Sequence, residues 1–287
     1  MPHADVNGIK LYYEEAGSGT PLLFLHEFAG DYRSWEDQMR FFARRYRAIT
    51  FSARGYPPSD VPDQPELYGQ DQLVEDARGL LDALAIGKAH LCGLSMGSYT
   101  TLIFGLTYPE RALSLVISGC GYGSGKGREE FHQEVEGVAQ KMLDEGMAKA
   151  ADTYTLGPAR VQFQNKDPRG WKTFRDQFAE HSAVGSANTF RGVQMQRPSV
   201  YDLEERMKRL EVPTLILNGD EDENCLEPGL FMKRTIPTAG LELIPVSGHT
   251  INLEEPDRFN RAVLNFVTAV DAGKWPRRDP RSLAHTL

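Results

Sequence analysis

A short apolar run that ends in Gly-x-Ser-x-Gly constrains the fold of this chain more than any other segment. The run begins near Ala89 and continues into Gly93-Leu94-Ser95-Met96-Gly97. This pattern is typical of a strand, a sharp turn and a helix, with the serine hydroxyl raised above the edge of a sheet. The two glycines, which lack a β-carbon, let neighbouring backbone pass close to the turn. The pentapeptide alone fits both a nucleophile and an ordinary strand–loop–helix junction.

Two later segments place an acid and a histidine after predicted strands. Residues 212–217 form one apolar run, which is followed by Asn218-Gly219-Asp220-Glu221-Asp222. Residues 241–245 form another, which leads through 246–248 into His249. Reactive groups in open α/β sheets gather at the carboxyl ends of the strands, so these side chains are expected to meet at one edge. Their order along the chain is serine, acid, histidine.

Three further segments extend the match, and the chain resembles the α/β-hydrolase superfamily over nearly its whole length. Residues 21–28 resemble the third strand and the oxyanion loop of that family, and residues 46–60 resemble its next strand and turn. Residues 248–256 are similar to its Gly-His-x-x-x-x-Glu-x-Pro segment. The resemblance implies an α/β protein with a mostly parallel, eight-stranded sheet flanked by helices and a helical cap inserted after the sixth strand.

Changes of pattern along the chain predict the domain organisation. Strand signals stop near Cys120, helical patterns follow, and strand signals return at Val212. Helical patterns alone also fit a bulge that thickens the core, whereas a cap would cover the carboxyl ends of the strands. Residues 9–14 alternate weakly and are expected to pair at the antiparallel edge of the sheet. We expect a hydrolase core at 1–119 and 209–271, a helical cap at 120–208, and a C-terminal tail at 272–287.

The resemblance implies roles for the residues that match the motifs of the family. Ser95 would be the nucleophile and His249 the base, while Asp222, which matches the family's Gly-x-x-Asp spacing, would orient the imidazole. The backbone N–H groups of Phe28 and Met96 would form the oxyanion hole. Three neighbouring carboxylates stay open as alternatives for the acid: Asp220, Glu221 and Glu223.

Substrate contacts are predicted in the oxyanion loop and in the cap. Glu27 stands where the family usually has glycine, and we interpret it either as a substrate contact or as a carboxylate that faces loop amides. His26 is interpreted as a structural residue that ties loops together beneath the oxyanion hole. Four cap side chains are candidates for the substrate pocket, although each also fits simple packing: Trp171, Phe174, Phe178 and His181.

Composition restricts the partners and the location of the protein. The formal net charge of −8 argues against a nucleic-acid or anionic-membrane partner, which requires a clustered basic face. The N-terminus lacks a signal-peptide pattern, and no apolar run approaches the ~20 residues of a membrane span. Three cysteines without metal-ligand spacing fit a reducing cytoplasm, so we expect a cytoplasmic protein without a metal or cofactor. The basic stretch 274–281 is interpreted as a solvated extension or as an arm on the partner subunit of a homodimer.

A small-molecule substrate cleaved through an acyl-enzyme is the function that these features favour. Serine at position 95 argues against the dehalogenases and epoxide hydrolases of this fold, which use aspartate there. We predict a serine hydrolase that cleaves a small carboxylic ester or lactone. The alternatives are a C–C bond hydrolase that acts beside a ketone, a cofactor-free oxygenase or perhydrolase on the same triad, and a non-catalytic receptor for a small ligand.

Overall fold

Eight strands form one sheet in the computed structural model, which describes residues 2–125 and 127–283. The strands are β1 (His3–Val6), β2 (Ile9–Ala16), β3 (Pro21–Leu25), β4 (Arg47–Phe51), β5 (Ala89–Leu94), β6 (Ala112–Ser118), β7 (Thr214–Gly219) and β8 (Ala239–Ile244). Their order across the sheet is β1-β2-β4-β3-β5-β6-β7-β8. The β1–β2 and β2–β4 pairs are antiparallel, and the other pairs are parallel. The predicted α/β fold is confirmed.

Helices cover both faces of this sheet. They are α1 (Glu36–Phe42), α2 (Gln70–Ala83), α3 (Met96–Thr107), α4 (Arg128–Glu145), α5 (Met147–Tyr154), α6 (Val161–Lys166), α7 (Pro168–Ala179), α8 (Ala183–Thr189), α9 (Glu204–Met207), α10 (Glu223–Thr235), α11 (Ile251–Glu254) and α12 (Pro256–Asp271). Successive residues of β3 alternate between two apolar clusters, because side chains on a strand point to opposite faces. Trp35 and Phe259 belong to one cluster, and Leu81 and Leu102 belong to the other. Strands covered on both faces read as continuous apolar runs, which explains the signal in the sequence.

The antiparallel edge of the sheet differs from the prediction. β2 was expected at the edge, but β1 lies outside it and pairs His3 with Tyr12 and Val6 with Ile9. The connection is Asn7-Gly8, and both residues have positive φ, 48° and 78°. Two-residue turns of this kind favour Asn-Gly because their twist matches that of the paired strands. A strand of four residues is too short to show an alternating pattern. The Asn7-Gly8 turn is the sequence feature that predicts a hairpin here.

Between β6 and β7, the described residues form helices joined by turns and contain no strand. We call this part the cap: helices α4 to α9, the 3-10 turn Pro158–Arg160 and the π-helical turn Phe190–Gln194. The predicted helical insertion after the sixth strand is therefore confirmed. The turn Pro158–Arg160 and the short helix α6 gave no signal in the sequence, since neither is long enough to display a helical period.

Part of the basic tail packs against the core. The Trp275 indole N–H donates to the Thr238 carbonyl at 2.8 Å, and its ring meets Phe266 edge to face with centroids 4.6 Å apart. The Arg278 N–H donates to the Pro237 carbonyl at 2.9 Å. The prediction of a solvated extension fails at Trp275 and Arg278, because these two residues contact the core, whereas the other residues of 274–281 are exposed. Residues 284–287 of the predicted tail lie outside the described residues. Among the helices described, none combines the length and hydropathy that crossing a membrane requires.

Candidate active site

Ser95 lies at the turn between β5 and α3 with a strained backbone. Its φ of 53° and ψ of −111° are values that residues with a side chain rarely adopt, and such strain is typical of functional sites. The Ser95 N–H donates to the Ser118 carbonyl at 2.8 Å, which ties the turn to β6. A β-carbon on Gly97 would lie 2.1 Å from the Leu25 carbonyl oxygen, so glycine is required where α3 meets the end of β3. The Ser95 side chain is half-buried and lines a cavity.

His249 and Asp222 form a buried hydrogen-bonded pair at the same edge of the sheet. The distance from His249 Nδ1 to Asp222 Oδ2 is 2.7 Å. Burial acts to raise the pKa of Asp222, but the adjacent His249 outweighs it and holds this pKa below its usual value. A charged carboxylate on Nδ1 fixes the tautomer and leaves Nε2 as the ring nitrogen available to a neighbour.

The other acids on this turn do not meet the histidine. The Asp220 carboxylate accepts from the Ser247 N–H at 3.2 Å, and the Glu221 carboxylate accepts from the Gln162 side chain at 2.7 Å. Both are exposed, as is Glu223, whereas Asp222 is buried. Among the four candidate carboxylates, the geometry therefore brings Asp222 to His249.

Contacts from three directions hold the His249 loop in place. The His249 N–H donates to the Ala159 carbonyl of the cap at 3.0 Å. The Tyr122 ring meets the imidazole edge to face, with centroids 5.0 Å apart. Gly119 has a φ of 61°, and a β-carbon there would lie 2.9 Å from the imidazole Cε1, so this glycine makes room for the ring. Lys166 of α6 donates to the Ser247 hydroxyl at 3.1 Å. The cap thus supports the core residue that it covers.

The two predicted oxyanion donors are available to a ligand. Within the described chain, neither the Phe28 N–H nor the Met96 N–H donates a hydrogen bond to another protein group. The loop that carries Phe28 is fixed by His26, whose Nε2 accepts from the Ala53 N–H at 2.9 Å and whose Nδ1 lies 2.6 Å from the Glu27 carbonyl. Burial lowers the pKa of His26 to about 4, so the ring is neutral and Nδ1 donates. His26 therefore ties two loops together.

Glu27 binds an arginine of the cap. Its two carboxylate oxygens accept from Arg160, with Oε1 3.1 Å from Nη1 and Oε2 on Nη2. Both side chains are buried, 2% exposed for Glu27 and 5% for Arg160. The interpretation of Glu27 as a carboxylate that faces loop amides is wrong, because Arg160 occupies both oxygens. The partner lies 133 residues away, on a turn without a sequence signal.

A cavity of about 430 Å³ opens beside Ser95 and His249. Its volume is in the range of small-molecule sites, and apolar side chains form much of its wall. Burial raises the pKa of Tyr154, one of the lining residues, to about 12, so its hydroxyl is protonated and can donate. The cap supplies most of the lining: Phe131, Glu134, Val135, Val138, Thr153, Tyr154, Gly157, Pro158, Ala159, Arg160, Phe190 and Gln194.

The four cap residues predicted for the pocket do not line this cavity. Phe178 is fully buried between Phe28 and Tyr154, at centroid distances of 5.9 and 5.2 Å. Trp171 donates its indole N–H to the Thr155 carbonyl at 2.9 Å. Phe174 stacks beneath the Arg160 guanidinium, 5.1 Å from its ring centroid. The fourth, His181, lies 3.4 Å from an Asp31 oxygen. An apolar stripe on a helix shows that one face is buried, but not whether it faces a core or a cavity.

One group of metal-ligating side chains occurs in the described chain, and it overlaps the histidine–acid pair. Asp222, Cys225 and His249 place ligand atoms within 4.8 Å of one another. Burial and the nearby Asp222 charge raise the pKa of Cys225 well above its ordinary value. A thiol held in its protonated form is a poor metal ligand, because the thiolate is the form that binds metals. These three side chains fit a hydrogen-bonded pair of His249 and Asp222 beside a neutral Cys225 thiol better than they fit a metal site.

Comparisons with known proteins agree with this geometry. A family model described as the alpha/beta hydrolase fold matches residues 20–145. The chain is 26% identical to a thermophilic esterase from Thermogutta terrifontis whose structure was solved with malate bound. That match covers 94% of this chain and 98% of the esterase at a TM-score of 0.83. The chain has the α/β-hydrolase fold.

Two curated relatives have names that indicate different substrates. The chain is 29% identical to 3-oxoadipate enol-lactonase 1 of Acinetobacter baylyi, over 87% of this chain and 89% of the relative. It is 28% identical to 2-hydroxy-6-oxo-6-phenylhexa-2,4-dienoate hydrolase of Burkholderia cepacia, over 91% of this chain and 92% of the relative. Both relatives are named as hydrolases, the first of an enol-lactone and the second of an oxo-dienoate.

Proposed function

We infer that this α/β-hydrolase is a serine hydrolase that cleaves a small carboxylic ester or lactone through an acyl-enzyme. The observation that carries the proposal is the buried pair of His249 and Asp222, 2.7 Å apart, which opens onto the same cavity as the strained Ser95. Relatives named as a lactonase and an esterase support this class of bond. The acidic net charge and the cavity volume of about 430 Å³ favour a small-molecule substrate over a polymer.

The reaction would proceed in two halves. Ser95 Oγ attacks the carbonyl carbon while His249 Nε2 accepts its proton, and Asp222 stabilises the imidazolium that forms. The imidazolium then donates that proton to the leaving alkoxide, which leaves an ester on Ser95. Water, deprotonated by the same histidine, attacks this ester; the imidazolium then returns the proton to Ser95 Oγ as the acyl bond breaks, and the acid is released.

Negative charge on the carbonyl oxygen would be met by the free N–H groups of Phe28 and Met96. These donors are fixed before substrate arrives, since His26 holds the first loop and α3 begins at the second. Removing one such donor from an enzyme typically lowers the rate by about 10²–10³. Met96 also begins α3, so its N–H lies at the positive end of the helix dipole.

A chromogenic ester tests the proposal directly. With 4-nitrophenyl butyrate, wild-type protein should release a burst of nitrophenol equal to the protein concentration and then turn over steadily. Ser95→Ala should show neither phase. Ser98→Ala is the matched control, because Ser98 lies one turn along the same helix and its hydroxyl donates to the Ser95 carbonyl at 2.6 Å. Equal activity in the two variants would contradict the assignment of Ser95 as the nucleophile, and no activity in the wild type would favour a non-catalytic receptor.

Hydrolysis of a C–C bond beside a ketone is the second candidate. The Burkholderia cepacia relative is named as a hydrolase of an oxo-dienoate, which is a compound with a ketone in its carbon chain. The same triad would serve, with a ketone in place of the ester carbonyl. A panel of esters, lactones and β-diketones, compared by kcat/KM, separates the two. Preference for β-diketones by more than about tenfold would assign the second candidate.

A further inference from the structure

The wall of the cavity contains the cation of Arg160, which forms an ion pair with Glu27 of the core. Arg160 is the one arginine or lysine among the described residues that line the cavity. Two of its N–H groups donate to Glu27, so the guanidinium is matched by a carboxylate at hydrogen-bond distance. Glu27 itself does not line the cavity. A ligand therefore meets the guanidinium of an ion pair rather than a free cation.

The remaining described wall offers an incoming carboxylate hydrogen-bond donors such as the Tyr154 hydroxyl and the Gln194 amide, but no second arginine or lysine. Phe131, Val135, Val138 and Phe190 are apolar, and the other fixed charge in the lining is the exposed carboxylate of Glu134. A carboxylate that leaves water for such a wall loses its hydration without gaining an unpaired cation. An uncharged acyl chain instead buries apolar surface against the same side chains.

We propose that Glu27 masks Arg160, so that the cavity selects acyl groups without a charge and rejects those with a second carboxylate. The inference rests on the proposed function, because it names the substrate class of that site. Glu27 acts here as a specificity-determining residue through Arg160. Its replacement by a neutral residue would leave Arg160 as an uncompensated cation in the wall, which is the state that binds a carboxylate.

The experiment compares two ligands that differ in one charge. Dimethyl and monomethyl esters of the dicarboxylic acids from succinate to suberate are titrated into Ser95→Ala by calorimetry at pH 7. The neutral diester should bind roughly tenfold more tightly than the anionic monoester of best-fitting length. In Glu27→Gln on the same background, the preference should shift toward the monoester by roughly tenfold or more. Asp76→Asn is the matched control, since it breaks the buried Arg54–Asp76 pair, which does not line the cavity.

Two further variants keep the test decisive if Glu27→Gln does not fold. Arg160→Met leaves Glu27 unpaired and should increase the preference for the diester. The double replacement of Glu27 by Gln and Arg160 by Met removes both charges and should keep the wild-type preference, because neutral replacement of a buried ion pair is commonly tolerated. If the monoester binds best with Glu27 present and Arg160→Met abolishes that binding, Arg160 is a carboxylate-binding residue and the proposal is overturned. Failure of both ligand series to bind also overturns it.

Turnover separates this proposal from the proposed function. Wild-type protein should hydrolyse the 4-nitrophenyl ester of monomethyl glutarate faster than the 4-nitrophenyl ester of glutaric acid, and Glu27→Gln should shift this preference toward the charged ester, as in the binding experiment. If neither ester is hydrolysed but calorimetry shows the expected charge preference, then the proposed hydrolysis fails while the masking of Arg160 stands.

Discussion

The two walls of the cavity are built on different principles. The core wall carries Ser95 and His249. Ser95 directly follows the carboxyl end of β5, and His249 follows the carboxyl end of β8 after a short loop. The cap wall is assembled from α4, the turn Pro158–Arg160 and the π-helical turn Phe190–Gln194. Strand ends fix the positions of reactive groups through the backbone of the sheet, whereas the cap sets shape and charge through side-chain packing. We therefore expect substitutions on the core wall to change the reaction rate and substitutions on the cap wall to change substrate selectivity.

The largest expected effect comes from removing reactive groups on the core wall. Ser95→Ala and His249→Ala should each lower kcat by roughly 10⁴ to 10⁶, because triad residues act as a unit. The double variant should be about as slow as either single variant. Steady-state kinetics on one nitrophenyl ester measures all three. Losses that multiply in the double variant would mean that the two residues act independently.

Asp222 should come next. Asp222→Asn presents an N–H where His249 Nδ1 needs an acceptor, and the wrong tautomer should cost roughly 10⁴ in kcat. Asp220→Asn, Glu221→Gln and Glu223→Gln are matched controls on the same turn, and exposed carboxylates interact weakly through water. Each control should change kcat by less than about tenfold. Greater sensitivity at any of the three than at Asp222 would contradict the assignment.

His26 should link the stability of the core wall to pH. Its folded pKa of about 4 lies below the ordinary value of 6.5, so the unfolded chain binds more protons between these values. Stability should therefore fall by about 3 kcal/mol as pH drops from about 6.5 to about 4. Urea unfolding of wild-type protein and His26→Gln across this range isolates the contribution. Equal pH dependence in both proteins would show that His26 is not buried in its neutral form.

The smallest expected effect lies in the part of the cap that does not line the cavity. Trp171→Phe removes the hydrogen bond to the Thr155 carbonyl and should lower the free energy of unfolding by about 1 kcal/mol, with KM unchanged. Gln194→Leu alters a lining residue and should change KM instead. Thermal unfolding and KM are measured for both variants. A larger change of KM in Trp171→Phe would place the substrate against this helix.

The same contrast explains which features could be predicted from the sequence. The positions of Ser95 and His249 follow from local signals, because apolar runs mark the strands that precede them. The number of strands was implied by the family resemblance, since the four-residue β1 has no period of its own to detect. Arg160 could not be predicted, since its meaning depends on a contact with Glu27 across 133 residues. The aromatic residues of α7 fit both a substrate pocket and simple packing, because their periodicity does not say what covers them. Local pattern determines the core wall, and tertiary packing determines the cap wall.

Covalent labelling of the core wall tests the central claim most directly. Wild-type protein is treated with a fluorophosphonate probe, which reacts with activated serines, and the modified peptide is identified by tandem mass spectrometry. The account predicts one phosphonate on Ser95 and no modification of Ser95→Ala or His249→Ala, because the hydroxyl needs its base. Labelling of another residue, or equal labelling of Ser95 in His249→Ala, would contradict the assignment of Ser95 as a nucleophile activated by His249.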